Sequence, residues 1–204
     1  MPAIERLLAQ LRPYVADQRV LDAIRAVPRD HYVAASRRAE AWDNVALPIA
    51  CGQTISQPLV VARMCELLRL AGSEIVLDVG TGSGYHAAVL ARLARHVYSV
   101  EVHAALAEAA AAALDADGVG NVTVVVGDGS RGLPRRAPFD AINVAAAAAD
   151  EVPHALLEQL APDGRLVAPV GGDEQRLVRI RRTSSGFTRE TLEGVRFVPL
   201  VQAP

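Results

Sequence analysis

A chain of 204 residues is long enough to bury about 70% of its unfolded surface in one folded unit. With 51% hydrophobic and 22% charged residues and a formal net charge of −2, it falls outside the disordered class and carries no bulk attraction for nucleic acid or an anionic membrane. Two cysteines, Cys51 and Cys65, are too few for a secreted disulfide framework, and neither a signal-peptide pattern nor an apolar run of about 18 residues occurs, so a cytoplasmic protein is expected. A monomer is the expected state, although none of these features bears on it.

Ile4, Leu7, Leu8 and Leu11 recur at helical spacing before Pro13. Asp17 is placed to cap a second helix carrying Val20, Leu21 and Ile24, which ends near Pro28. Residues 42–54, interrupted by Pro48 and Gly52, read as a loop of a length typical of functional loops. A third helix is predicted over 57–70, with Ser56 at its N-cap and Pro58 in its first turn. Strands follow at 75–79, 97–101, 122–126, 139–144 and 165–170, with helices at 85–95, 103–115 and 153–160 between them. Residues 177–182 and 187–195, joined across Ser184-Ser185-Gly186, form a predicted antiparallel hairpin. The alternation specifies an α/β fold, a doubly wound, mostly parallel sheet with N-terminal helices and a C-terminal hairpin. One domain is expected, with residues 1–72 as a helical and substrate-loop region and 73–204 as the ligand-binding core and hairpin.

The strongest motif is Asp78-Val79-Gly80-Thr81-Gly82-Ser83-Gly84, at a strand end and a helix start. Gly80, Gly82 and Gly84, with Thr81 between them, make a backbone crevice that a nucleotide can approach closely. Gly82 to Ala87 also satisfies the dinucleotide pattern, so a nicotinamide or flavin oxidoreductase is the rival reading. Charge separates the two. Asp78 ends the first strand, Glu101 the second, and Asp128-Gly129 follow the third. Acidic strand ends repel a pyrophosphate but suit a cationic ligand: Asp78 the amino group of a methionine moiety, directly or through water, Glu101 the ribose hydroxyls, Asp128 the adenine amino group. S-adenosylmethionine is the expected cofactor.

The run Gly52-Gln53-Thr54-Ile55-Ser56-Gln57-Pro58, preceded by Ala41-Trp42-Asp43-Asn44 and Ala46-Leu47-Pro48-Ile49, resembles the protein-L-isoaspartate O-methyltransferases. So do Val27-Pro28-Arg29, the glycine motif, Pro138-Phe139-Asp140-Ala141-Ile142, residues 160–166 and the tail Arg196-Phe197-Val198-Pro199-Leu200-Val201, in the family's order along essentially the whole chain. The resemblance implies methyl transfer from S-adenosylmethionine to the free α-carboxylate of L-isoaspartyl and, less well, D-aspartyl residues, leaving S-adenosylhomocysteine. The ester then collapses to a succinimide, and its hydrolysis restores some normal aspartate. The resemblance makes Ser56 catalytic, adds Gln53, Thr54 and Ile55 to the cofactor set, and gives the acceptor Thr54, Ser56, Val198, Leu200 and Val201. Damaged proteins and peptides are the expected partners, with no nucleic acid and no membrane.

Three positions depart from the family pattern: Ala145 where a threonine is commoner, His86 in place of glutamine, and Gln202 after the tail. The Ala145 change leaves open a relative that methylates ordinary peptide aspartate. Base- and amide-methylating enzymes carry Asn or Asp, then Pro-Pro and an aromatic, after the fourth strand; Ala145 to Ala149 stands there instead. The five histidines are scattered without paired spacing, so no metal site is expected.

Overall fold

The computed structural model describes residues 1–201; Gln202 lies outside them. Helices α1 (Ala3–Leu11) and α2 (Gln18–Ala26) each bury one apolar stripe, Leu7, Leu8 and Leu11 on the first and Val20, Leu21 and Ile24 on the second. Asp17 caps α2 as expected, accepting from the Arg19 N–H at 2.9 Å. Helix α3 (Pro58–Leu68) corrects the reading of Ser56. Its N-cap is Gln57, because the chain stays extended through Gln57 and Pro58 takes the first helical position. Capping comes instead from a distant residue: Asn44 Oδ1 accepts from the Leu59 N–H at 3.0 Å, and Gln57 Nε2 donates to the Asn44 carbonyl at 2.9 Å.

Residues 42–54 are more ordered than a plain loop. Strand β1 (Leu47–Pro48) pairs antiparallel with β2 (Thr54–Ile55). Cys51 and Gly52 turn the chain between them at φ 57° and 68°. Thr54 therefore sits on a small hairpin, with Ser56 immediately after it.

The main sheet contains β3 (Ile75–Val79), β4 (His96–Glu101), β5 (Val122–Val126), β6 (Phe139–Val144), β7 (Leu160–Val170), β8 (Gln175–Thr183) and β9 (Gly186–Val195). Its order is β5-β4-β3-β6-β7-β8-β9, parallel through β7 and antiparallel thereafter. Between the strands run α4 (Tyr85–Ala91), α5 (Ala104–Ala116) and α6 (His154–Glu158). Helix α4 stops short of the predicted residue 95 because the chain turns back early, and the Arg95 and His96 N–H groups bond to the Glu74 carbonyl. Strand β7 begins at Leu160 rather than 165, where Phe139 pairs with it across a register shift. One apolar cluster packs α1 to α4 on Val76, Val97, Ala141, Val167 and Leu177; the other packs Leu156 of α6 on Leu77, Val79, Ile142, Leu166 and Val178. Helices thus cover both faces, as a doubly wound sheet requires. No helix among the described residues is long and apolar enough to cross a membrane.

Candidate active site

Strands β3 and β6 are neighbours whose connections run to opposite sides of the sheet, which opens a crevice beyond their carboxyl ends. The Gly80 N–H donates to Val100 O at 2.9 Å and the Ala145 N–H to Val79 O at 2.7 Å, locking the turn to both neighbouring strands. Gly80 at φ +91° and Gly82 at φ +55° hold left-handed backbone at the rim and line the crevice. Gly84 has a different task from the one the motif suggested. A Cβ there would press on Ala110 Cβ at 3.2 Å, so its bare Cα lets α4 approach α5, and it does not line the crevice.

Glu101 lines the crevice, held by the Gly82 N–H at 2.8 Å on one oxygen and the His103 N–H at 3.0 Å on the other. A carboxylate accepts up to four such bonds, which leaves capacity for a pair of ribose hydroxyls. Asp128 spends one oxygen on its own turn, accepting from the Ser130 N–H and hydroxyl at 2.9 and 2.7 Å. Gly129, beside it, is the residue that lines the crevice.

Asp78 is fully buried and does not line the crevice, so of the two forms of the expected contact the arrangement favours the one through water. Parallel register sets Ser99 and Asn143 directly beside it on β4 and β6. The Asn143 amide and the Ser99 hydroxyl each donate to one Asp78 oxygen at 2.7 Å. Ser99 has one proton and gives it to Asp78, so Thr81 is the donor in its 2.6 Å contact with Ser99. On the other side Asn143 reaches His86 Nδ1 at 3.3 Å, and His86 Nε2 lies 3.6 Å from Cys65 Sγ. Burial raises Asp78 to about 6 against the hydrogen bonds of Asn143 and Ser99, and lowers His86 to about 3, so the imidazole is neutral. Asp78 and Thr81 therefore support the glycine turn from beneath.

The crevice residues fit an adenosyl sulfonium. In a chain with 21 cationic residues, none of the residues lining it is an arginine, and Glu101 is its acidic group. A pyrophosphate would find no counter-charge there; a cationic ligand finds one.

Thr54 joins this crevice to a second cavity of about 670 Å³ that also contains Ser56 and Gln57. Ser56 borders Gly80, Thr81, Gly82 and Ala145 through a small pocket lined also by Ile55 and His86. The Ser56 hydroxyl has no hydrogen-bond partner among the described residues, and neither does the Val60 N–H in the first turn of α3. Both residues line the larger cavity. Gln53, Thr54, Val198, Leu200 and Val201 line the crevice itself. The tail lies along residues 145–148: Ala147 N–H donates to Val198 O and Leu200 N–H to Ala147 O, both at 2.8 Å.

Arg29, given no role from sequence, holds the segment that carries Ser56. Fully buried, it donates to the carbonyls of Ala41, Val45 and Ser56, and its guanidinium lies 5.7 Å from the Tyr85 ring centroid. One charged side chain ties the Ser56 segment to the helix that follows the glycine motif. A buried arginine just before a long loop is a signal the sequence does contain, but its three acceptors lie up to 27 residues away. Among the described residues no three His, Cys, Asp or Glu side chains are placed to hold a metal ion.

The chain matches the family described as Protein-L-isoaspartate(D-aspartate) O-methyltransferase (PCMT) over residues 3–204. The protein-L-isoaspartate O-methyltransferase of Roseiflexus castenholzii is 54% identical over 94% of this chain and 88% of its own length. That of Klebsiella pneumoniae subsp. pneumoniae is 52% identical over 98% of this chain and 96% of its own. A Plasmodium falciparum structure of the same name, in complex with S-adenosyl-L-homocysteine, superposes with a TM-score of 0.83 at 26% identity, covering 97% of this chain and 98% of that one. Another solved protein-L-isoaspartate O-methyltransferase reaches 0.87 at 27% identity, with this chain spanning 65% of its length. The chain belongs to the protein-L-isoaspartate (D-aspartate) O-methyltransferase family.

Proposed function

We propose that the protein is a repair methyltransferase that esterifies the free α-carboxylate of L-isoaspartyl residues, and less well D-aspartyl residues, in damaged proteins and peptides. The observation that carries this reading is the junction at Thr54. A crevice with an acidic wall and no arginine opens there onto a cavity holding an unpaired hydroxyl at Ser56. S-adenosylmethionine, when bound, supplies a methyl group on a sulfonium leaving group. Glu101 and Gly129, with Gln53 to Ile55 on the opposite side, are the residues assigned to hold it, and Asp78 and Thr81 fix the turn below.

The acceptor carboxylate is ionised at neutral pH, with a reference pKa near 4, so no general base is required. Ser56 donates a hydrogen bond to the carboxylate, and the Val60 N–H adds a second donor from the head of α3. Neither is a full positive charge that would hold the nucleophile too tightly. Positioning of this kind accounts for about 7–11 kcal/mol in favourable cases. Val198, Leu200 and Val201 cover the reacting groups and exclude water, which favours a reaction whose charges cancel. The backbone nitrogen next to the ester then attacks its carbonyl, forming the succinimide C–N bond and expelling methoxide, which leaves as methanol with the proton of that N–H; hydrolysis of the succinimide returns part of the chain to normal aspartate.

Ala145 favours a second reading. It lines the crevice and the small Ser56 pocket, without the hydroxyl commoner in the family, and a relative acting on ordinary aspartate has room there. The chain is taken to work as one unit and as a cytoplasmic monomer, where a reducing medium suits its free cysteines. The testing experiment follows a purified isoaspartyl peptide by chromatography through repeated rounds with S-adenosylmethionine. Donor-dependent appearance of the aspartyl peptide supports repair; methyl ester formed only on aspartyl peptides removes it.

A further inference from the structure

The cavity holding Ser56 continues past the acceptor carboxylate. Gln57, Val60, Gly194 and Val195 line both it and a second pocket of about 460 Å³, so the two form one groove between α3 and β9. The far pocket is walled by Leu59 and Leu177, with Tyr14, 62% exposed, at the rim. Arg63 and Glu193 also line it, paired at 2.8 Å across α3 and β9, and Arg63 is shared with Glu66, so among the described residues the pocket carries no free cation. Arg63 also donates to the Tyr14 carbonyl at 3.2 Å, tying the rim to the same ion pair.

We propose that this groove carries the acceptor chain away from its isoaspartyl residue and that the far pocket seats one apolar side chain of that acceptor. The inference rests on the repair reading, and continuity with the Ser56 cavity is what commits the occupant. Spacing sets the position. From Pro58 to Arg63 the groove follows α3 for roughly 7.5 Å at ~1.5 Å per residue, and the extended chain back to Ser56 adds up to ~6 Å, together about three to four residues of extended peptide. A pocket of this size lies within the range that takes a large side chain with its flanking backbone. An aliphatic or aromatic residue about three to four positions from the isoaspartyl residue therefore binds better than a polar one.

The test compares isoaspartyl peptides that differ only in leucine or serine at the third or fourth position on either side. Leucine on one side lowers KM roughly tenfold, about half the effect of burying it completely, with kcat little changed. Tyr14→Ser, at an exposed position that does not endanger folding, reduces that ratio to below about threefold. Equal KM for leucine and serine on both sides, with all peptides methylated, overturns this inference and leaves the repair reading standing. A full ratio retained in Tyr14→Ser also overturns it, and no methylation of any isoaspartyl peptide overturns both.

Discussion

Arg29→Met tests whether one buried cation positions the segment that carries Ser56. The substitution keeps most of the apolar stem but removes the donors to Ala41, Val45 and Ser56. Three carbonyls lose charge-assisted hydrogen bonds, each worth about 1.5–3 kcal/mol, although some regain water because two of the bonds are only partly buried. Loss of the buried charge offsets part of the damage, since desolvation already works against the guanidinium and lowers its pKa. The net expectation is ~3–5 kcal/mol. For a chain of this size that is a fall in Tm of roughly 6–20 °C. At 25 °C the released Ser56 segment raises the peptide KM more than it weakens S-adenosylhomocysteine binding. Arg29→Lys keeps the charge but cannot reach three separated carbonyls, so it shows a smaller fall in Tm with the same KM defect. Thermal melts and peptide kinetics on both variants decide the matter. A Met variant melting within about 2 °C of the wild type, with unchanged KM, refutes the reasoning.

Ser56→Ala lowers kcat on an isoaspartyl peptide at least about tenfold, as the loss of a donor to the reacting carboxylate should, while calorimetric affinity for S-adenosylhomocysteine stays within about twofold; unchanged turnover removes Ser56 from the mechanism. Gly80→Ala and Gly84→Ala separate the two glycine tasks: both incur ~1–2 kcal/mol of left-handed strain, but only the first lowers donor affinity beyond what its melting curve explains. Asp78 and His86 give opposite pH dependences. Between about pH 4 and 6 the native state keeps an Asp78 proton that the unfolded chain has released, so this group makes stability fall as pH rises through that window. The unfolded chain protonates His86 below about pH 6.5 while the buried ring stays neutral to about pH 3, so that contribution is lost as pH falls. Urea melts at pH 4.5 and 7 should therefore show a smaller acid-side loss in His86→Gln, by up to ~1.4 kcal/mol per pH unit, and an unchanged slope counts against the buried neutral ring.

The parallel core was legible because its strands are short apolar runs bounded by turn residues; β3, β5 and β6 start and end where the pattern changes. The glycine motif announced a crevice, and Glu101 at the end of β4 announced its polarity. What sequence could not supply was direction. Asp78 belongs to a strand buried on both faces, so periodicity does not say whether its carboxylate faces ligand or core, and the answer came from register with Ser99 and Asn143. Gly84 looked equivalent to Gly80 and Gly82, but its neighbour Ala110 lies 26 positions away on another helix. Ser56 resembled an N-cap because serine is a favoured capping residue and Pro58 suits the first turn that would follow it; Asn44, 15 residues before the amide it accepts from, took that role and left the hydroxyl free.

Labelled methyl transfer from S-adenosylmethionine to an isoaspartyl peptide and, in parallel, to its aspartyl twin of identical composition decides whether this protein repairs damaged chains. The isoaspartyl peptide takes up label and the twin stays at background. Equal labelling of both would contradict a repair enzyme.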